Sequence, residues 1–395
     1  MARLIDHRLA ALMVVAFVST LGEFLVVALL PFYAERYGAT PLEVGALVSA
    51  FALASMATAP LWGRFADRRG RRPALLLGLV VSAAGYLLFG LAQSLELLLI
   101  ARLVHGVGGG TVPVVFAYIA DSVTGERRAE GIGWVTAVTS SAAMIGPAVG
   151  SLAGQLHPAG AGAVAAAFSL AAAVFARFWL PESRQRREGE QAEETRYSIL
   201  AAVGRVAAQP LRPLNLLIWI YAAGQIGMAG MTAIIGLYLG RRFGVDESNI
   251  GLFFFYLGGL SIAFRVFVLG PAVRRFGEVI ILRAGAVSFG VGLIAIPFAT
   301  GLWTLGAAIF LVPLGTSLLF PCTTSQVSKR APGSGVVGQV LGVQQAYGNG
   351  SKIAAPLVAT YMFQALSPEA PFVAIGAILI VAAAMSARVR TEPAG

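Results

Sequence analysis

"GRFADRRGRRP", Gly63 to Pro73, stands between two apolar runs, "VGALVSAFALASMATAPLW" and "ALLLGLVVSAAGYLLFGLA". Five of its eleven residues are arginine, and Asp67 is its one acid. Each flanking run is about 20 residues long, the length of a helix that crosses the hydrocarbon of a bilayer. The charged stretch is therefore expected as a short turn at a membrane surface. The whole chain agrees: of 395 residues, 57% are hydrophobic and 12% charged, where a soluble domain carries about 25% charged residues.

Twelve membrane-spanning helices are expected, at 9–33, 41–62, 73–93, 96–119, 130–155, 161–180, 213–239, 248–270, 278–299, 302–325, 335–362 and 370–388. The first lacks a small-residue cleavage site after it and reads as a retained span. With the N-terminus inside, Arg36, Arg241 and Arg242 fall outside and Arg102, Arg265 and Lys352 within spans. The other 23 of the 29 basic residues then face the cytoplasm, as the positive-inside rule requires. The net charge of +10 is thus a matter of topology and anionic headgroups, and no nucleic-acid partner is expected. A single cysteine, Cys322, excludes an intrachain disulfide, and the scattered His7, His105 and His157 suggest no metal site.

The densely charged "PESRQRREGEQAEETRYS", Pro181 to Ser198, has no apolar periodicity. It separates six spans from six. A short surface helix is expected within that stretch, and the expected organisation is an N-terminal bundle over 1–180, a cytoplasmic linker over 181–212, and a C-terminal bundle over 213–395. The two halves repeat. "RYGATPLEVG" (36–45) aligns with "RFGVDESNIG" (242–251) at an offset of 206, and "GRFADRRGR" (63–71) with "GPAVRRFGE" (270–278) at 207. Pro113 meets Pro321 at 208 and Pro147 meets Pro356 at 209. Parallel six-helix repeats of this kind belong to a transporter architecture whose substrate site lies between the halves near mid-membrane.

On these grounds the chain resembles the major facilitator superfamily over nearly its whole length. The family's loop signature is met by Gly63, Asp67, Arg68, Gly70, Arg71 and Arg72. The resemblance implies that Asp67 is a conformational latch, contacting the start of the eleventh helix and nearby basic groups in the outward-open state. A helix N-terminus attracts a carboxylate; the second copy has Arg274 in that place. "LLIARLVHGVGGG" (98–110) is similar to the fourth-helix motif of proton-coupled antiporters, with His105 where that motif has glutamine. "AAMIGPAVGS" (142–151) is similar to the fifth-helix antiporter motif, keeping Gly146, Pro147 and Gly150, with Ala142 and Ser151 replacing its outer glycines. "LGEFLVVALLP" resembles the first-helix pattern of drug antiporters.

Ionisable groups in mid-span cost roughly 2.5–3.5 kcal/mol on insertion scales and must face protein or water. Glu23 is the one carboxylate well inside a span. It reads as a proton carrier, or else as a structural group satisfied by Ser19 or a neighbouring helix. Water access decides whether such a carboxylate keeps its proton. Arg102 either biases Glu23 or a bound anion, or snorkels. His105, at i+3 from it, either relays a proton or packs. Gln345, Asn349 and Lys352 share one face of the eleventh span, as do Tyr221, Gln225, Met228 and Thr232 of the seventh. Both stripes read as cavity lining or as interhelical contact. Lys352 would bind an anionic headgroup or pair with Glu23, and Arg265 reads as a snorkelling residue.

The function expected is secondary active transport, as proton-coupled export of drug-like or amphipathic molecules. Transport of an anionic or zwitterionic amphiphile such as a lysolipid is the alternative, and a non-transporting sensor on the same fold is a third. The sequence has no P-loop, metal cluster or nucleophile–histidine signature, so neither an enzyme nor an ATP-driven pump is expected. No cofactor is expected, the proton gradient being the energy source. The expected partners are a small amphipathic substrate, protons and membrane lipids, and the working unit is a monomer. The expected location is the bacterial inner membrane, with both termini cytoplasmic.

Overall fold

The computed structural model describes residues 7–122, 125–157, 159–182, 199–331 and 337–389. Helices and short connections account for all of them, with no strand among the described residues. The helices are α1 (His7–Arg36), α2 (Pro41–Arg69), α3 (Arg71–Gly90), α4 (Leu95–Gly108), α5 (Thr111–Ser122), α6 (Gly125–Leu156), α7 (Gly160–Trp179) and α8 (Ile199–Ala208). They continue with α9 (Pro213–Phe243), α10 (Ile250–Ala263), α11 (Gly270–Phe276), α12 (Glu278–Ala295), α13 (Leu302–Lys329), α14 (Val337–Ala365) and α15 (Ala370–Met385). Eleven stretches among the described residues are long and apolar enough to cross a membrane. The twelfth expected span is α14, whose 29 residues suffice in length but carry Gln339, Gln344, Gln345, Asn349 and Lys352. Half of the predicted linker, residues 183–198, lies outside the described residues, and the surface helix expected there falls with it; α8 follows that stretch.

Three expected elements differ in detail. The charged turn of the opening stretch shrinks to Gly70 alone, because α2 runs on through Asp67 to Arg69 and α3 starts at Arg71. Its arginines and alanine are good helix formers, so only a residue with positive φ ends the helix. The expected fourth span is two pieces, α4 and α5, joined at Gly109 and Gly110. A Cβ at Gly110 would stand 2.5 Å from the Trp62 ring, so close packing there demands a residue of poor helix propensity. The eighth span extends past 270 to Phe276 through a π-helical turn, Phe264–Leu269, between α10 and α11.

The repeat is written into the backbone. Positive φ occurs, among the described residues, at four glycines: Gly38 (75°), Gly70 (103°), Gly244 (66°) and Gly277 (79°). These are two pairs at the offsets already seen in the sequence. Gly70 and Gly277 break the helix at the loop motif of each half, and Gly38 and Gly244 at the opposite end. The α2 start is fixed by a capping box: Thr40 N donates to Glu43 Oε2 at 2.7 Å, and Glu43 N to Thr40 Oγ1 at 3.3 Å, with Pro41 in the first turn.

Compact packing divides the chain into one unit of Met1–Glu190 with Leu239–Gly258 and another of Gln191–Tyr238 with Gly259–Gly395. In the first, α3 packs on α4 and α7; in the second, α12 packs on α13 and α15. Glycines set both approaches. A Cβ on Gly78 would lie 3.4 Å from Gly108 O, and one on Gly285 2.9 Å from Gly315 O. These pairs are repeat equivalents. Residues 239–258 join the first unit by fixed contacts. Arg36 pairs with Glu247, Ser151 Oγ donates to Glu247 O, and Gln155 Nε2 donates to Ser248 O at 2.8 Å. The turn entering α10 is held by Asp246, which accepts from Ser248 Oγ at 2.5 Å and Ser248 N at 2.9 Å. The Ser248 hydroxyl is the chief reason its carboxyl sits below the usual aspartate range.

The two loop glycines make different demands. Nothing lies within 4 Å of a Cβ built on Gly277, whereas one on Gly70 would run into the Glu182 carboxylate. Gly277→Ala should therefore lose about 1–3 kcal/mol, from a backbone at φ 79° and ψ 155° that is essentially open to glycine alone, and Gly70→Ala more. Melting temperatures in detergent check the order; a Gly70→Ala protein as stable as Gly277→Ala would deny the Glu182 contact any weight.

Candidate functional site

In the first unit, α1, α2, α3 and α4 surround a buried cation. Arg102 is 1% exposed. Its Nε donates to Leu47 O at 3.1 Å, and its guanidinium carbon stands 4.9 Å above the Phe51 ring. Such a cation–π contact offsets part of the cost of burial. Nε and Nη1 both meet protein and the side chain is buried, so it does not snorkel. Arg102 Nη1 lies 3.5 Å from His105 Nδ1. A guanidinium only donates, so Nδ1 accepts and the ring proton sits on Nε2. The imidazole is walled by Phe51 and Tyr86, with centroids at 4.6 and 4.3 Å. A second proton would set two like charges side by side without water. The arrangement suits a neutral ring that positions Arg102.

Glu23 comes from α1, where a Cβ on the preceding Gly22 would stand 2.5 Å from Tyr86 Oη. That close pass sets Glu23 beside α3. It is half-buried and acts electrostatically on both Tyr86 and Arg102. It takes part in none of the ion pairs among the described residues. The close packing of α6 on α1 passes through Gly146 and Gly150. A Cβ on the first would lie 2.7 Å from Leu21 O, and one on the second 2.8 Å from Leu25 O. Pro147 lies between them inside α6. The glycines thus bring α6 against the turn of α1 that carries Glu23.

In the second unit, three residues of the two polar stripes form a chain. Gln225 Nε2 donates to Tyr221 Oη, and Tyr221 Oη donates to Gln345 Oε1, both at 2.9 Å. Phe320 sets its ring edgewise to Tyr221 at 5.5 Å. Gly348 permits the approach, since a Cβ there would lie 2.9 Å from Tyr221 Cε1. Met228 is half-buried, and its carbonyl accepts from Thr232 Oγ1 at 2.7 Å. Asn349 and Lys352 are exposed along α14 and stand apart from this network.

At the loop motif, Arg71 Nη1 donates to Asp67 Oδ1 at 2.6 Å across Gly70. Asp67 is 64% exposed, so the pair contributes at most about 1 kcal/mol. Arg68 is exposed, and nothing lies within 4 Å of a Cβ on Gly63. The start of the eleventh helix, the partner the resemblance implies for Asp67, belongs to the other unit. The sequence reading left Glu182 in the linker, yet it caps α3. Its Oε1 accepts from Arg71 N at 2.8 Å and its Oε2 from Arg72 N at 3.2 Å. The available signal was an acid immediately after the last apolar run of α7, in "FWLPES". Glu278 was also passed over. It begins α12 and accepts from Ser325 Oγ at 2.9 Å, Gln326 Nε2 at 2.7 Å and Lys329 Nζ at 3.0 Å, all on α13.

The sequence profile described as Major Facilitator Superfamily matches residues 12–268 and 226–395. The class D tetracycline resistance protein of Salmonella ordonez is 27% identical over 89% of this chain and 88% of its own length. Multidrug resistance protein 2 of Bacillus subtilis is 26% identical over 92% and 90%. The class G tetracycline resistance protein of Vibrio anguillarum is 30% identical over 81% and 80%. Two solved structures share the fold. The human organic anion transporter MFSD10 has a TM-score of 0.73 at 22% identity, over 96% of this chain and 99% of its own. The nucleoside transporter NupG has 0.78 at 11%, over 98% and 100%.

Arg102 is the group most tightly specified by its surroundings. Arg102→Lys keeps the charge but cannot reach both Leu47 O and His105 while lying over Phe51. Loss of one charged hydrogen bond is worth roughly 1.5–3 kcal/mol, so transport should fall at least about tenfold. Arg102→Ala should abolish transport. Uptake into everted vesicles, normalised to protein, measures both; full activity in the alanine variant would reduce Arg102 to packing.

Proposed function

Because this chain belongs to the Major Facilitator Superfamily, whose members here are membrane transporters and not enzymes, we propose that it exports drug-like or amphipathic molecules in exchange for protons, by alternating access. The observation that carries this reading is the buried Arg102 beside a half-buried, unbridged Glu23. With its proton Glu23 offers Arg102 no charge; without it the two groups carry opposite charges. The two protonation states therefore differ in electrostatic energy by an amount that depends on which side water enters, and that difference can bias a two-state transporter. A proton from outside neutralises Glu23, and its release inside restores the charge and drives the other half of the cycle. His105 holds Arg102 in place and does not itself relay the proton.

Tyr221, Gln225, Met228, Gln345, Asn349 and Lys352 are the residues of the second unit that meet the substrate. A polar chain beside an adaptable methionine suits loosely specified amphiphiles. Similarity to tetracycline and multidrug resistance proteins over most of the chain supports a drug-like cargo. Asp67, with Gly63, Arg68, Gly70 and Arg71, acts as the conformational latch. The exposed Lys352 on the same helix as Gln345 favours one second reading, an anionic or zwitterionic amphiphile such as a lysolipid as cargo. The basic loops support cytoplasmic termini, and the relatives' bacterial sources support an inner (plasma) membrane location.

Purified protein in liposomes under an imposed pH gradient tests the proposal. Glu23→Gln should abolish uphill export and leave downhill exchange within about threefold of the parent. The cargo panel should include cations, neutral drugs and anionic amphiphiles. Export by Glu23→Gln that still follows the pH gradient would remove Glu23 as the proton carrier. Selective loss of anionic cargo in Lys352→Ala would decide for the second reading.

A further inference from the structure

Outside the transport machinery, the second unit holds a cavity of about 750 Å³ where α8 meets the first turns of α9, the end of α13 and the start of α14. Its size is that of a small-molecule site. Arg205, Arg212 and Arg330 line it with Gln209, Asn215 and Gln339, and no carboxylate does among the described residues. The remaining lining is apolar, including Val206, Ile218 and Val343. Cations of one sign above an apolar wall describe a receptor for an anionic amphiphile.

The position is equally specific. Pro213 begins a membrane span, and Arg330 follows the end of another, so the cavity opens at the level where hydrocarbon meets headgroup. α8 is amphipathic, with Val206 buried and Arg205 exposed, as in helices that lie in the interface plane. It is fastened at two points: Tyr347 Oη of α14 donates to Val203 O at 3.0 Å, and Asn215 Nδ2 of α9 donates to Gln209 O at 2.8 Å. The helix is thus a fixed wall of the cavity.

We propose that this cavity binds an anionic phospholipid from the leaflet facing the basic loops. The phosphate sits among Arg205, Arg212 and Arg330, and an acyl chain runs along Val206, Ile218 and Val343. The lipid joins the linker helix to the second bundle. A free phosphate would use the arginines but leave the apolar wall wet, which is why a lipid fits the whole lining.

The test is native mass spectrometry and thermal unfolding of detergent-purified full-length protein titrated with phosphatidylglycerol, phosphatidylcholine and glycerol phosphate. Phosphatidylglycerol should stay bound and raise the melting temperature; the other two should not. Changing Arg205, Arg212 and Arg330 together to Gln should weaken phosphatidylglycerol roughly a hundredfold, each arginine near a membrane surface adding a similar increment. Changing all three to Lys should keep most of the binding. Ala202→Trp, which fills the cavity and keeps the charges, should also release the lipid. Equal stabilisation by glycerol phosphate would make this a soluble-phosphate site, and undiminished lipid binding by the Gln variant would place the lipid elsewhere; either overturns the proposal. A Gln variant that fails to fold leaves Ala202→Trp to decide. Glu23→Gln should bind the lipid like the parent, so failure here and failure of proton coupling are separate results.

Discussion

In hydrocarbon no water competes for a backbone amide. A spanning helix settles its own hydrogen bonds and is left with van der Waals packing and a few polar contacts to hold its neighbours. Close approach is then the main source of cohesion, and glycine is the residue that permits it. A Cβ on Gly162 would lie 2.5 Å from Gly90 N, and one on Gly290 2.8 Å from Gly376 O. The same joints, α3 with α7 and α12 with α15, thus recur in both units. Where backbones touch this closely, a side chain on the next residue has little choice of direction. Glu23 owes its place beside Tyr86 to Gly22, and Tyr221 meets Gln345 because Gly348 has no side chain.

Such packing also makes a buried charge tolerable. Arg102 has exchanged water for a carbonyl, an aromatic face and an imidazole nitrogen. None of these is a full counter-charge, so the cation remains electrostatically unfinished. A buried ion pair with excellent geometry would be locked, and breaking it would cost several kcal/mol. Glu23, half-buried on the neighbouring α1, takes part in none of the ion pairs among the described residues.

Much of this was legible in the sequence, for identifiable reasons. Span length and charge placement depend on the solvent, and apolar runs report them directly. The repeat was visible because Gly38 and Gly244, and Gly70 and Gly277, sit at helix ends where only glycine serves. Arg102, Glu23 and the Tyr221–Gln345 stripe stood out because polar groups are rare in spans. Glu182 and Glu278 did not, since an acid near a charged loop looks like every other solvated acid until its partners are known. The neutral, ring-walled setting of His105 depends on Phe51 and Tyr86 from two other helices, and no spacing within α4 reports them. The joint at Gly109 and Gly110 was hidden by an apolar run that continues straight through it.

The π-helical turn at Phe264–Leu269 compensates a difference in length between the halves. Between Gly45 and Gly63 the first half has 18 steps, and between the equivalent Gly251 and Gly270 the second has 19. One residue more in an ordinary α-helix would rotate everything beyond it by about 100° and turn the following motif toward the wrong neighbour. The widened turn falls inside that interval, while its counterpart α2 is unbroken helix. A π turn takes up a single extra residue as a local bulge, so the face presented beyond it is preserved and Gly277 still ends the helix as Gly70 does. The one-residue difference between the halves is thus absorbed inside a single turn, and the two loop motifs keep equivalent helix ends.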